Sequence, residues 1–258
     1  MSESQMQEPS AKHCTGRFNF MLPAALKPAG REQNIFLMRV WSQAQPGFPV
    51  LEGAELRKFD LAGVGPAVWL RPSATYPQDL KIVAMKPGQG YALFLETAAS
   101  AGREQNAENV VARVAKGFVP GSPQGFCIEH GAFVLPPSKN ERAFATFKGS
   151  GVDVTVQTET VGAPDDGQST AGAATGVRTI SKERRMVAGL NGIEERVEVS
   201  EKPKALFVYT WIYPGEAGSG LRPRIHLKAS AGQDHQAALD AAWTSLTGSF
   251  ELRPPGVR

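Results

Sequence analysis

A chain of 258 residues is long enough for one large domain or two of ordinary size, and 41% hydrophobic with 21% charged residues excludes a disordered protein. The formal charge of +3 is spread out: residues 1–120 carry 13 Lys/Arg against 10 Asp/Glu and residues 121–258 carry 15 against 15. Neither half therefore offers the concentrated basic surface that a nucleic-acid partner requires. Only two cysteines are present, Cys14 and Cys127, which rules out a disulfide scaffold and a zinc site built on cysteine pairs. Two separate buried thiols are expected, with one bridge as the alternative in an oxidising compartment.

In chain order, the opening MSESQMQEPSAKHC lacks the basic end and apolar stretch of a secretory signal. The chain is thus expected either to stay inside the cell or to be a trimmed mature form. No run of about 20 apolar residues predicts a membrane span. The segment HCTGRFNFMLPA recurs without gaps as FCIEHGAFVLPP at residues 126–137: Cys14, Phe20, Leu22 and Pro23 match Cys127, Phe133, Leu135 and Pro136. The even offsets from the cysteine predict one face of a strand, closed by a proline that cannot donate to a ladder.

NIFLMRVW, AVWLR, LKIVAM and YALFLET read as strands of the first half, and Gly88-Gln89-Gly90 as the hairpin turn between the last two. Val110, Val111, Val114 and Phe118 recur at helical spacing in EQNAENVVARVAKGF. A Gly/Pro cluster at 117–124 predicts a boundary. The second half offers AFATFK, VDVTVQTETV, EERVEVS, ALFVYTWIY and RIHLK as strands. VDVTVQT alternates as a strand with one solvated face does, and ALFVYTWIY reads as a central strand covered on both faces. Leu239, Ala242, Trp243 and Leu246 mark a closing helix, with Asp234 as its N-cap. The residues between 162 and 176, GAPDDGQSTAGAATG, are small, polar and glycine-rich and read either as a mobile loop tip or as a long hairpin excursion. The expectation is an α+β fold of two tandem similar domains, 1–120 and 121–258, each a mainly antiparallel sheet packed with a C-terminal helix.

Catalytic motifs fail on their structural requirements. Gly167-Gln168-Ser169-Thr170-Ala171 lacks the second glycine of a nucleophile elbow. His13, His130, His226 and His235 show no i, i+4 metal spacing, and His226, alternating with Ile225 and Leu227, is expected to face solvent. Glu194 and Glu195 are adjacent on a strand and point to opposite faces, so they cannot serve one substrate as acid and base. One is expected to be paired and the other to lie in water. Trp41, Trp69, Trp211 and Trp243 are expected in the core. No metal or cofactor is implied.

From Gly125 to Pro254 the chain resembles the C-terminal domain of type VI secretion system lipase-immunity proteins, the fourth such family. The resemblance rests on GFCIEHGAFVLPP, on VAGLNGIEE with Gly189, Gly192 and Glu195, and on the aromatic strand ending at Trp211. It continues through RPRIHLK with Pro223 and the tail WTSLTGSFELRP with Trp243, Ser249, Arg253 and Pro254. CTGRFNFMLP, through Cys14, Gly16, Arg17 and Pro23, resembles the same family's N-terminal domain. The resemblance implies a periplasmic protein, not an enzyme, that grips a cognate lipase or phospholipase toxin of the α/β-hydrolase type with two domains and holds its lid or substrate entrance unusable. Specificity is then expected in loops, with Asp165 and Asp166 in the second half and Phe48 and Tyr76 in the first as partner-binding candidates. The competing reading assigns the aspartates to loop solvation and the aromatics to the core. The alternative function is a periplasmic binding module for a small or lipidic ligand.

Overall fold

In the computed structural model, residues 9–44, 47–49, 51–163, 176–201 and 204–255 are described. The chain begins with a hairpin, β1 (Ser10–Thr15) and β2 (Phe18–Pro23), followed by β3 (Lys27–Ile35), β4 (Met38–Gln43), β5 (Ala54–Leu61), β6 (Gly65–Arg71), β7 (Asp79–Pro87) and β8 (Ala92–Ser100). Helix α1 (Glu104–Lys116) and a short β9 (Phe118–Pro120), inside the Gly/Pro cluster, end this run. The same succession then repeats: β10 (Phe126–Ile128) and β11 (Gly131–Phe133), then β12 (Glu141–Gly149), β13 (Val152–Glu159), β14 (Val177–Val187), β15 (Leu190–Glu201), β16 (Lys204–Tyr213) and β17 (Arg224–Gly232). A 3-10 turn (Gln233–His235), α2 (Gln236–Ser249) and β18 (Glu251–Leu252) close it. The fold is mostly antiparallel sheet with few helices, as an α+β chain requires.

Two compact units are present, Met1–Arg31 with Ala143–Leu252 and Glu32–Arg142 with Arg253–Arg258. In the first, strands run in the order β14-β15-β16-β17-β13-β12, and β18 pairs with β2 of the opening hairpin. Helix α2 covers one sheet face because Leu239, Ala242, Trp243 and Leu246 fall on one side of it. Against them pack Val152, Val154 and Val156, the alternate residues of β13, with Phe207, Tyr209 and Trp211 of β16. Phe18 and Phe20 of β2 extend this core, Phe18 stacking on Phe250 at 4.8 Å. β16 is central, between β15 and β17. Its alternate residues Leu206, Val208, Thr210 and Ile212 are only half-buried, so ALFVYTWIY is covered fully on one face and not on both.

In the second unit the order is β5-β6-β7-β8-β4-β3, with β9 pairing β11. This matches the first unit element for element. Helix α1 packs on β7 and β8 through Val111, Val114 and Ala115. On the opposite face Val68, Leu70, Val83, Met85 and Phe94 are covered by Trp41, Phe48 and Leu51. Both faces being covered explains the unbroken buried runs in AVWLR, LKIVAM and YALFLET.

Several expectations need correction. NIFLMRVW is two strands, not one: Phe36 and Leu37 form the turn between β3 and β4. The repeated cysteine motif is a hairpin, with Cys14 on β1 and Phe20 and Leu22 on β2 across a turn at Gly16, so the even offsets do not lie along one strand. Pro23 does end its strand. Both cysteines are disulfide-bonded, in place of two separate thiols. Asp234 falls in the 3-10 turn; His235 occupies the N-cap position of α2, with no side-chain capping bond.

Candidate interaction surface

Of the four partner-binding candidates, Asp165 and Asp166 lie outside the described residues, as does the Gly167–Ala171 near-motif. Tyr76 stands in the β6–β7 loop with 57% of its surface exposed, its carbonyl accepting the amide of Asp79 at 3.0 Å. Phe48, in the β4–β5 loop, is half-buried and meets Phe94 edge-on at 6.1 Å. Beside it Trp41, itself only half-buried, stacks on Phe94 at 5.1 Å and carries the Arg39 guanidinium 5.0 Å from its ring centre. With Leu51, Glu52 and the Lys81–Glu96 ion pair (3.2 Å), Arg39 and Trp41 line a shallow recess of mixed aromatic and charged character. The two loops belong to one unit, and Phe48 anchors its loop to the sheet while Tyr76 is presented to solvent.

The acidic groups that drew attention in the sequence are structural. Glu194 is fully buried on β15, where its carboxylate accepts from Arg185 of β14, from Arg196 Nε (2.9 Å) and from the Trp243 indole of α2 (3.1 Å). Arg185 also donates to Thr247 Oγ1 at 2.8 Å, and Arg196 lies 4.7 Å from the centre of the Tyr209 ring. Tyr209 donates its hydroxyl to Asp240 at 2.9 Å; burial, before that hydrogen bond, raises its phenol above the usual range. These bonds tie three strands to the helix. Glu195 is buried as well and pairs with Lys182 at 3.8 Å, so neither of the two carboxylates lies in water as one was expected to.

The second unit makes the helix-to-sheet bond with the partners exchanged: Trp69 on β6 donates its indole N–H to Glu108 on α1 at 2.9 Å, and Arg57 of β5 donates to the same oxygen at 2.5 Å. Neither Glu108 nor the Glu194 network was read from the sequence. The residues of each are 39 and 49 positions apart from their tryptophans, and no local spacing announces the pairing. Trp69, Trp211 and Trp243 are core residues, as expected; Trp41 is not fully so.

Among the described residues, no histidine is paired with a carboxylate in the manner of a catalytic base. His13 packs against Phe20 and Phe147, at 6.0 and 4.7 Å between ring centres, and burial, aided by Arg31 and Lys27, lowers its pKa. His226 is half-buried rather than solvent-facing, and its Nε2 is buried without a hydrogen bond. Burial first, then Lys228 and Arg224, lowers its pKa as well. His130 stacks on Tyr91 at 4.8 Å. Among the described residues, no group of three or more His, Cys, Asp or Glu side chains could hold a metal ion, and no helix is long and apolar enough to cross a membrane.

The residues that carried the resemblance are scaffold. Gly192 underlies Trp211, where a Cβ would come within 2.6 Å of the indole nitrogen and of the Ile212 carbonyl. Counting G-x-x-G-x-E from Gly189 arrives at Glu194, the buried hub, and not at Glu195. Gly125 adopts φ 81° and donates to Pro254 O at 3.0 Å, while Arg253 donates to Gly125 O at 3.1 Å and Ser122 O at 2.7 Å. Ser249 Oγ accepts the Met21 amide at 2.7 Å, fixing the helix end to β2. The pattern therefore specifies scaffold, with the end of α2 fixed to β2 and Arg253 and Pro254 fixed to Gly125. A family model described as the C-terminal domain of Tle cognate immunity protein 4 matches residues 119–255.

The chain belongs to this family.

The immunity family makes it an inhibitor and not an enzyme. Similar solved structures include the apo immunity protein TplEi of the type VI secretion system from Pseudomonas aeruginosa, at 17% identity and a TM-score of 0.76 over 97% of this chain and 99% of that one. The Tle4–Tli4 complex contains a chain at 16% identity and TM-score 0.77, covering 95% of this chain and 98% of that one. TplEi from P. aeruginosa complexed with "L" peptide gives 18%, 0.71, 96% and 99%. At these identities the likeness is one of fold. No curated protein matches the chain in sequence.

Proposed function

We propose that this immunity-family chain binds a cognate type VI secretion lipase or phospholipase effector in the periplasm and blocks it by gripping it with two similar domains. The observation that carries the reading is the family match over residues 119–255 on a fold shared with a chain solved in the Tle4–Tli4 complex. Disulfide-bonded cysteines support the compartment, since such bonds persist where the surroundings are oxidising, as in the periplasm. Repetition of the element order supports the tandem origin: residues 1–120 and 121–258 each run hairpin, six strands, helix, short strand.

Tight inhibition of an enzyme takes an interface of about 1,600 Å² in which a few aromatic or arginine anchors dominate. Loops supply such anchors without disturbing the stitched scaffold. Tyr76, exposed on its loop, is the contact we assign from the sequence candidates; Phe48 serves by holding its own loop against Phe94. The reading is tested by co-expressing the chain with a type VI secretion lipase effector from the same genome, then measuring co-purification and the heat of binding. A one-to-one complex supports it, and an effector that elutes alone and gives no heat at micromolar concentrations refutes it.

A further inference from the structure

The turn between β3 and β4 is made from residues poorly suited to its geometry. Phe36 (φ 53°) and Leu37 (φ 62°) both lie in the left-handed region, the type I′ pattern of a two-residue hairpin closed by the Ile35–Met38 pair. Asn, Asp and Gly ordinarily supply that conformation, because a bulky side chain there crowds the following carbonyl. The counterpart turn of the other unit, between β12 and β13, uses Ser150 (φ 50°) and Gly151 (φ 71°). The same device in one molecule is thus built once with ordinary turn residues and once with two large apolar ones.

Packing among the described residues covers Phe36 only in part and leaves Leu37 largely bare. Leu37 is 75% exposed and Phe36 only half-buried, whereas Ile35 and Met38 at the base are fully buried. The result is an apolar tip on a firmly rooted hairpin, flanked by exposed Glu32 and Arg39. Strained backbone of this kind clusters at functional sites, and a pre-ordered anchor binds without first losing conformational freedom.

We propose that Phe36 and Leu37 form an apolar prong that seats in an apolar recess of the lipase effector, with Glu32 and Arg39 at the polar rim. The proposal rests on the immunity reading above. The choice of occupant follows from chemistry: an enzyme that acts on lipids must take acyl chains out of water, so it carries an apolar recess, and a rigid tip of that polarity is its complement.

The test compares wild type, Leu37→Gly and the double variant Phe36→Asn with Leu37→Gly by calorimetry against the purified effector, with thermal midpoints measured alongside. Left-handed positions suit Gly and Asn, so Leu37→Gly is expected to raise Tm by about 2–4 °C. The expected result is binding at least tenfold weaker in both variants with Tm not lowered, a combination that a merely structural role for the tip cannot produce. Wild-type affinity retained by both variants overturns the prong while leaving the immunity reading intact. Failure of the wild type itself to bind overturns both.

Discussion

Replacing Glu194 exposes how the first unit is held together. The fully buried carboxylate is the shared acceptor of Arg185, Arg196 and the Trp243 indole. Removing one member of a buried charged cluster costs about 3–5 kcal/mol, because the remaining groups lose their partner while still out of water. Here both arginine side chains keep about a third of their surface exposed, 32% and 34%, and can turn toward solvent. The indole N–H cannot, and its loss alone costs about 1–3 kcal/mol. Glu194→Ala should therefore fall near the lower bound, about 3 kcal/mol. Glu194→Gln, whose carbonyl still accepts from Trp243, should cost about half that. At about 2–4 °C per kcal/mol for a chain of this size, the alanine variant should melt about 6–12 °C lower, with near-ultraviolet dichroism reporting released Trp243. An alanine variant within about 1 kcal/mol of wild type, or one no worse than the glutamine variant, would refute the argument that this carboxylate is the hub.

In the second unit, Glu108→Ala should be milder, about 1–2 kcal/mol, since its partner Arg57 is 56% exposed; hydrogen exchange should localise the loss to Glu104–Lys116. Gly192→Ala drives a methyl into the Trp211 indole and the Ile212 carbonyl, and overpacking of this kind costs about 1–3 kcal/mol, read as a lower denaturant midpoint. His13 and His226 have folded pKa values below the ordinary imidazole value. The unfolded chain therefore takes up protons first, and the stability these groups contribute above about pH 6.5 is lost as pH falls toward their folded values. Urea midpoints at pH 7.5 and 5.5 should fall for wild type and fall less for His226→Gln; equal drops would place the pH sensitivity elsewhere.

Periodicity carried most of the architecture. VDVTVQT alternates in the structure as it does in the sequence, and the two helices form around the apolar residues that marked them, except Phe118, which falls past the end of α1 on β9. The repeated segments were legible as equivalent, but their hairpin form was not, because Gly16 is followed by a buried Arg17 rather than a second turn residue. The Phe36–Leu37 turn was hidden for the same physical reason that makes it interesting: neither residue has turn chemistry, so NIFLMRVW reads as one strand. Partnerships between distant residues, such as Glu194 with Trp243, leave no local signal. Tyr76 was legible as a loop aromatic, whereas the packing of Phe48 on Phe94 depends on a sheet face that only the fold assembles.

The central claim, that this chain neutralises a lipase, is tested most directly by titrating it into a fixed concentration of a type VI secretion lipase effector from the same genome and following ester hydrolysis. The account predicts activity falling linearly to zero at one equivalent, the signature of a tight stoichiometric complex. Full lipase activity in the presence of a micromolar excess of folded, disulfide-bonded chain would contradict it.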